Sequence, residues 1–543
     1  MVFKYASYFY RNMIILLKIN HIIIHFMRKN ILILMIAIIP FISWNNVSNH
    51  SYLVNDGKNN STPHKEIYKT DHQTESLSDR LWVISNFVKI PKDVYAKRRG
   101  KLMDYIEGGI AIFASAENLG RRVGAHYEYK QGSDFYYLTG FPEPNAFFLL
   151  IPDSEKKFIM FVRQNYPMAK VWTGNRYGPE GAKKIFRADE AFPINQLSDL
   201  LPKYLKGTKT IYLNPRDKEL KEKIISFLEE SNIDPMPEFK NPTPFIHEMR
   251  LFKDPFEIKQ LQKAIDITCE SHIEAYKTAK PGMYEYEIEA ITEYIYRKNG
   301  AKRPGFSSIV GSGPNSTILH YEENNRKMKE GDLLLMDIGA EWERYTADVT
   351  RTIPVSGKFT KEQREIYELV LEAQEEAIKE MIPGKGVQEA HNRASEVIVN
   401  GLYKLGLMTD KNSEWQKKFY ILYNNSHWLG LDVHDVGKYG RGKGTGRPLK
   451  PGMVLTIEPG IYLGKGRLDH LVELFGNRAP EKEIKAFIET VEPVYQKYMN
   501  IGVRIEDDVL ITETGHIVLS AKAPKTVDDI ERTMTEKSRF IDK

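Results

Sequence analysis

From about residue 85 onward, apolar positions fall into short unbroken runs separated by longer stretches with helical spacing. GIAIFAS (109–115), AFFLLIP (146–152), KFIMFV (157–162) and TIYLN (210–214) read as buried strands. A helical pattern at 217–230 lies among them, so 85–245 is predicted to be an α/β unit. The stiff connector Asn241-Pro-Thr-Pro-Phe marks a boundary. Beyond it, Asp254-Pro255 supplies an N-cap followed by proline at the first helical position, which starts a long amphipathic helix running to about Thr278. Lys280-Pro-Gly ends that helix, and a second covers 284–298. Strands follow, then helices at 361–380 and 388–405. Helix pair then strands, twice over, predicts a second domain at 246–525 with two related halves around one sheet, and a tail at 526–543.

The segment 333–354, LLLMDIGAEWERYTADVTRTIP, has two apolar, β-prone arms around the polar Glu341-Trp342-Glu343-Arg344. The pattern predicts a tight antiparallel hairpin. Asp337 and Asp348 lie on opposite arms, equally far from its middle, so they are expected to face each other with Cβ atoms roughly 4.5–5.5 Å apart. One straight strand would separate them by roughly 36 Å at about 3.3 Å per residue. Two carboxylates among Leu, Met, Ile and Val repel unless positive charge sits between them. A divalent metal pair is the candidate.

Composition narrows the function without changing that picture. The chain has 543 residues, 42% hydrophobic and 27% charged, which suits a soluble protein of two or three domains. Its net charge is +5 with Lys and Arg scattered, so nothing points to nucleic acid. The phosphate-binding GxGxxG and GxxxxGK[ST] loops are both absent, which argues against a nucleotide enzyme. Cys269, the single cysteine, excludes an intrachain disulfide and reads as a small buried residue.

The first residues differ from the rest. Met27-Arg28-Lys29-Asn30 precedes an apolar run at 31–44, the pattern of an export signal; a true start at Met27, with 1–26 as upstream translation, is one explanation of this arrangement. Residues 1–26 are apolar in part but broken by Lys18, Asn20, His21 and His25. The run is shorter than the ~20 residues that span a bilayer, and an uncleaved membrane anchor is the alternative. Export to a bacterial periplasm, or anchoring to the inner membrane through 31–44, is therefore expected. Residues 45–84, rich in Asn, Ser, Lys, His and Thr, read as a disordered linker.

Further hard-cation ligands occur where the hairpin needs them. SHWLGLDVHDVG (426–437) supplies His427 and His434. Glu458 ends the apolar run MVLTIEPG, where a lone charge is costly. Glu506 stands in GVRIEDDVLIT, and Arg504 shares its strand face because side chains two apart point the same way. Four carboxylates in apolar strands with one imidazole suit manganese, zinc, cobalt or iron. Five ligands fit one shared site with Asp348 and Glu506 bridging. Two metals about 3.5–4 Å apart can hold a bridging hydroxide, which makes hydrolysis the natural chemistry. In the first domain, QGSDFYYLTGFPEPNAFFLLI (131–151) places its aromatics as core, and VWTGNRYGPEGA (171–182) places Trp172 in a polar, glycine-rich loop.

The spacing of Asp337, Asp348, His427, Glu458 and Glu506 resembles that of the dinuclear metallopeptidases of pita-bread fold. Within them, residues 90–525 resemble aminopeptidase P, the Xaa-Pro aminopeptidases, through IVGSGPNSTILHYEENN (309–325), SHWLGLDVHDVG and QGSDFYYLTGF. The resemblance implies an α/β (α+β) chain, with a creatinase/aminopeptidase-P-like N-terminal domain and a pita-bread catalytic domain. It implies one metal on Asp337, Asp348 and Glu506, and another on Asp348, His427, Glu458 and Glu506, most simply as two Mn2+ ions. By the same resemblance His320 stabilises the tetrahedral intermediate, His434 contacts the substrate carbonyl, and Glu458 accepts a proton from the nucleophile. Arg504 and Tyr462 orient the carboxylates. Trp172 reaches a neighbouring subunit's active site, which implies a homo-oligomer, a dimer or tetramer. The implied substrates are peptides with proline at position two, a bond that most peptidases cannot seat because proline lacks the N–H and carries a ring.

Two features depart from the expected pattern. Between Tyr462 and Arg504 the chain runs long, and helical periodicity at 480–489 predicts an inserted helical hairpin beside the site, able to narrow substrate access. RGKGTGR (441–447) reads as a basic solvated loop, with contact to a peptide carboxylate as the alternative. The rival readings are a prolidase, which shares the ligands but cuts only dipeptides, and a catalytically inactive peptide-binding protein of the same fold.

Overall fold

The computed structural model of the chain describes residues 89–116, 128–440 and 445–541. The expected export signal or anchor and the linker lie outside the described residues, as do residues 441–444 of the basic loop. Among the described residues no helix is long and apolar enough to cross a membrane.

The first domain is built on a six-stranded sheet in the order β4-β3-β2-β1-β5-β6. Its strands are β1 (Ile110–Ala114), β2 (Phe147–Leu150), β3 (Phe158–Val162), β4 (Glu190–Pro193), β5 (Thr210–Tyr212) and β6 (Glu238–Lys240). Alternation along each strand feeds two cores, because successive side chains point to opposite faces. Ile112, Leu149, Ile159 and Phe161 pack with Leu201 and Ile224 of two helices on one face. Phe113, Phe148 and Met160 pack on the other face with Phe135, Leu138 and Phe141. The QGSDFYYLTGF stretch thus folds as the helix Ser133–Thr139, and its aromatics are core.

The second core includes residues beyond 245, such as Leu261, Ile265 and Val349, so the proline-rich connector joins packed parts. Pro242 leads directly into the helix Thr243–Leu251. The long helix Pro255–Thr278 begins with a capping box in which Asp254 and Glu257 satisfy each other's backbone N–H groups. Arg98 from the first domain also donates to Asp254 at 2.8 Å.

Helix pairs and strands alternate as expected: Pro255–Thr278 with Glu285–Lys298, then strands, then Lys361–Lys379 with Gln388–Lys404, then strands. The strands form several short sheets rather than one. β8 (Ile309–Ser312), β9 (Leu333–Ile338) and β12 (Val349–Pro354) make one, and β7 (Arg303–Pro304), β10 (Ala340–Trp342) and β11 (Tyr345–Thr346) another. β13 (Val454–Ile457), β16 (Asp507–Ile511) and β17 (His516–Val518) make a third, and β14 (Gly460–Leu463) and β15 (Ile501–Arg504) a fourth. The halves are stitched by Glu506 N–H donating to Thr350 O at 3.0 Å.

Three details correct the expectations, while the insertion is helical as expected. The hairpin turns at Glu343-Arg344, one position later than its polar centre, because both residues adopt positive φ (46° and 78°) as two-residue hairpin turns require. Asp337 is therefore opposite Thr350, and Asp348 lies diagonal to it on the same face. Trp172 sits on the short helix Pro167–Thr173 instead of a loop, begun by proline at its first position. Residues 526–534 are not a tail: Thr526 caps the helix Val527–Met534, whose Val527, Ile530 and Met534 are buried in the main core. The insertion forms Leu471–Phe475 and Glu481–Tyr498, and its Leu471, Phe475, Ile484, Phe487, Val491 and Tyr495 join the same core.

Candidate metal centre

β9 and β12 bring the first two carboxylates together. The arms kink between Ile338 and Ala340, where a Cβ on Gly339 would stand 1.8 Å from Ala347 O, so only glycine permits the approach. Asp348 occupies the bend just before Val349 and is 4% exposed. Strand ends deliver the other groups: Glu458 follows β13, Arg504 closes β15 and Glu506 precedes β16. His427 lies beside β13 through its backbone, with Thr456 N–H donating to His427 O at 2.9 Å.

These side chains converge. One donor atom each from Asp348, His427 and Glu506 lie within 4.8 Å of one another. His427 Nε2 stands 3.3 Å from Asp348 Oδ2, 3.5 Å from Glu458 Oε1 and 4.0 Å from Glu506 Oε1. Arg504 holds Asp337 through its guanidinium and donates to Tyr462 Oη at 2.7 Å and to Thr350 Oγ1 at 3.1 Å. Thr350 in turn donates to Glu506 Oε2 at 2.6 Å.

The centre's electrostatics test whether cations fit. Asp337 Oδ1 and Glu506 Oε1 are buried without any hydrogen-bond partner, a costly state for a carboxylate. Burial, then the Asp337 charge, pushes Asp348 well above the usual carboxylate range. Burial, then Asp348, does the same to Glu506, and burial raises Glu458 to about 7. The single Arg504 cation does not balance carboxylates crowded in this way, and four of them with one imidazole form a donor set suited to hard or borderline divalent cations. The residues present fit such ions.

His434 and His320 lie at the rim. The rings of His427 and His434 have centroids 4.2 Å apart at 63°. Burial, then the charges of His427 and His320, lowers the His434 pKa. The His320 loop is organised from below by Glu285, which is 0% exposed. Its carboxylate accepts from Ser312 N at 2.6 Å, Ser312 Oγ at 2.7 Å, Tyr321 Oη at 2.8 Å and Arg326 N at 2.8 Å. Trp172 does not join the centre of its own chain; it is 80% exposed.

Sequence reasoning missed two neighbours of the centre. Tyr423 Oη donates to Glu458 O at 2.9 Å and lies 2.8 Å from Tyr462 Oη, so a chain of hydrogen bonds runs from Arg504 through both tyrosines to the Glu458 backbone. An aromatic four residues before His427 was its only signal. Asp508 accepts from Asp348 N–H at 3.2 Å and is 0% exposed; a third acid beside Glu506 in IEDDV marks it.

Comparison with known proteins agrees with this geometry. Residues 259–513 match Metallopeptidase family M24, and residues 95–212 match the Aminopeptidase P N-terminal domain. The Xaa-Pro aminopeptidase of Haemophilus influenzae is 38% identical over 458 residues, covering 83% of this chain and 99% of that protein. The chain belongs to the aminopeptidase P family. Among solved structures, aminopeptidase PepP of Pseudomonas aeruginosa matches this aminopeptidase P chain with a TM-score of 0.74 at 39% identity, covering 82% of this chain and 99% of that one. A Xaa-Pro dipeptidase of Homo sapiens is 29% identical over 84% of this chain and 96% of that protein. As an aminopeptidase P, the chain is a metal-dependent hydrolase, with an N-terminal α/β domain followed by a pita-bread metallopeptidase domain.

Proposed function

We propose that the chain releases the N-terminal residue from peptides with proline in the second position. The observation that carries this is the convergence of Asp348, His427 and Glu506 in a chain that covers 99% of a Xaa-Pro aminopeptidase. Asp337, Asp348 and Glu506 are the proposed holders of one divalent ion, and Asp348, His427, Glu458 and Glu506 of a second. Manganese is the proposed ion, with zinc, cobalt or iron equally suited to the donors. Such ions supply Lewis acidity, which makes water nucleophilic near neutral pH and offsets charge on the reacting carbonyl.

The protein's own groups do the rest. Glu458 takes the proton that the attacking water gives up. His320 and His434, at the rim, donate hydrogen bonds to the substrate carbonyl as it gains negative charge, and preorganised donors of this kind are worth roughly 2.7–4 kcal/mol each. Arg504 and Tyr462 keep the carboxylates in place. Trp172, exposed on its helix, is proposed to reach the site of a second copy in a dimer or tetramer. Residues 31–44 are proposed to direct export to a bacterial periplasm or to anchor the protein at the inner membrane.

The reading is tested by offering the manganese-loaded protein tripeptides that differ only at position two. Release of the first residue from the proline peptide, with the alanine peptide cut at least tenfold more slowly, is expected. Equal cleavage of both would contradict it.

A further inference from the structure

Resting on the reading above, in which His434 contacts the substrate, we propose that Arg250 and Asp432 position His434, and that the N-terminal domain completes this clamp. Arg250 lies in the last turn of the helix Thr243–Leu251 and is 3% exposed. Its guanidinium donates to Asp134 Oδ1 at 2.7 Å, to Asp432 Oδ2 at 2.8 Å and to Asp435 Oδ1 at 2.5 Å. The second oxygen of Asp435 accepts from Lys253 Nζ at 3.0 Å. Ser133 Oγ, from the first domain, donates to Asp432 Oδ1 at 2.7 Å. One arginine thereby gathers carboxylates from both domains, and two of them flank His434 in sequence.

The loop between the two histidines is shaped around this cluster. Asp435 N–H donates to Trp428 O at 2.8 Å, and Gly430 N–H to Asp432 O at 3.2 Å. A Cβ on Gly430 would stand 2.2 Å from Asp435 Oδ2, so the loop wraps the anchored carboxylate closely. Among the described residues, the His434 ring makes an edge contact with His427 and no hydrogen bond. Its place is therefore set by the backbone that Asp432 and Asp435 pin down. Buried ion pairs add little net stability compared with apolar packing, and fixing geometry is their best-attested use. This cluster lies where geometry matters, beside a rim imidazole.

Arg250 is a positioning residue in this account, and because its loss strands buried carboxylates, the test uses Asp432→Ala and Ser133→Ala instead. The kcat and KM for a Xaa-Pro-Xaa tripeptide, together with bound manganese, are measured for each variant in the wild-type and His434→Ala backgrounds. Asp432→Ala is expected to lower kcat by about 10- to 100-fold, the scale of a small misplacement of a catalytic group, with metal content unchanged. In the His434→Ala background the same change is expected to cost less than about twofold, because groups acting as a unit are not additive. An equal fold-loss in both backgrounds, or a loss of bound metal that accounts for the effect, would overturn the proposal. A wild-type protein that leaves all Xaa-Pro peptides intact contradicts the functional reading instead. Crystal structures of wild type and Asp432→Ala then decide the positioning claim: a displaced His434 supports it and an unmoved one overturns it.

Discussion

Arg504 binds Asp337 through a guanidinium–carboxylate hydrogen bond in which both partners are buried. The same guanidinium reaches Tyr462 and Thr350, so one cation fixes three groups of the proposed metal centre. Lysine cannot reproduce this planar fork. Arg504→Lys is expected to lower kcat/KM or manganese affinity by about 10- to 100-fold, the usual effect of losing a group that orients metal ligands. Metal titration followed by kinetics checks it.

Asp348 is shared by both proposed ions, and its oxygens face His427 as well as Asp337. Asp348→Ala is expected to abolish bound metal and activity together. Elemental analysis after gel filtration gives the metal content. Full activity in this variant would rule out a two-ion centre.

Removing the ions should expose the repulsion they relieve. Chelation is expected to lower the melting temperature, and manganese at 100 times its dissociation constant should restore about 2.7 kcal/mol of stability. Thermal unfolding with and without chelator measures this. Unchanged melting would show that the acids are relieved in some other way.

Glu285 holds the His320 loop through four short hydrogen bonds. Glu285→Gln removes an acceptor and leaves at least one buried donor unpaired, at a cost of about 1–3 kcal/mol. Urea unfolding checks the stability, and kcat is expected to fall with it while metal content holds.

His272 gives the fold a defined pH response. It is 0% exposed, its Nε2 donates to Val349 O at 2.9 Å, and its Nδ1 has no partner. Burial, then the charge of Arg351, pushes its pKa down from 6.5 to about 3. The folded state thus resists a proton that the unfolded chain accepts, so its contribution is complete above pH 6.5 and is lost as pH falls towards 3. Between pH 6.5 and 5 the metal-stripped protein is expected to lose about 1.6 kcal/mol more than His272→Gln, the slope approaching about 1.4 kcal/mol per pH unit below pH 6.5. Denaturant midpoints across that window measure the difference.

Much of this was legible in the sequence because local chemistry agrees with the fold. Asp254-Pro255 marked a helix start, and apolar alternation marked the strands of the first domain. The hairpin register was not legible, since Glu343 and Arg344 adopt positive φ without glycine or asparagine to announce it. The terminal helix was missed because it is only eight residues long, and its apolar face becomes meaningful only against the core it covers. Arg250 escaped notice for another reason: its partners are 116 and 185 residues away in the chain.

The most direct measurement compares two peptides under one condition. The manganese-loaded protein is given a Xaa-Pro dipeptide and a longer Xaa-Pro-Xaa peptide, and the products are separated by mass. The account predicts that the longer peptide loses its first residue. Cleavage of the dipeptide alone would contradict it and make the chain a prolidase.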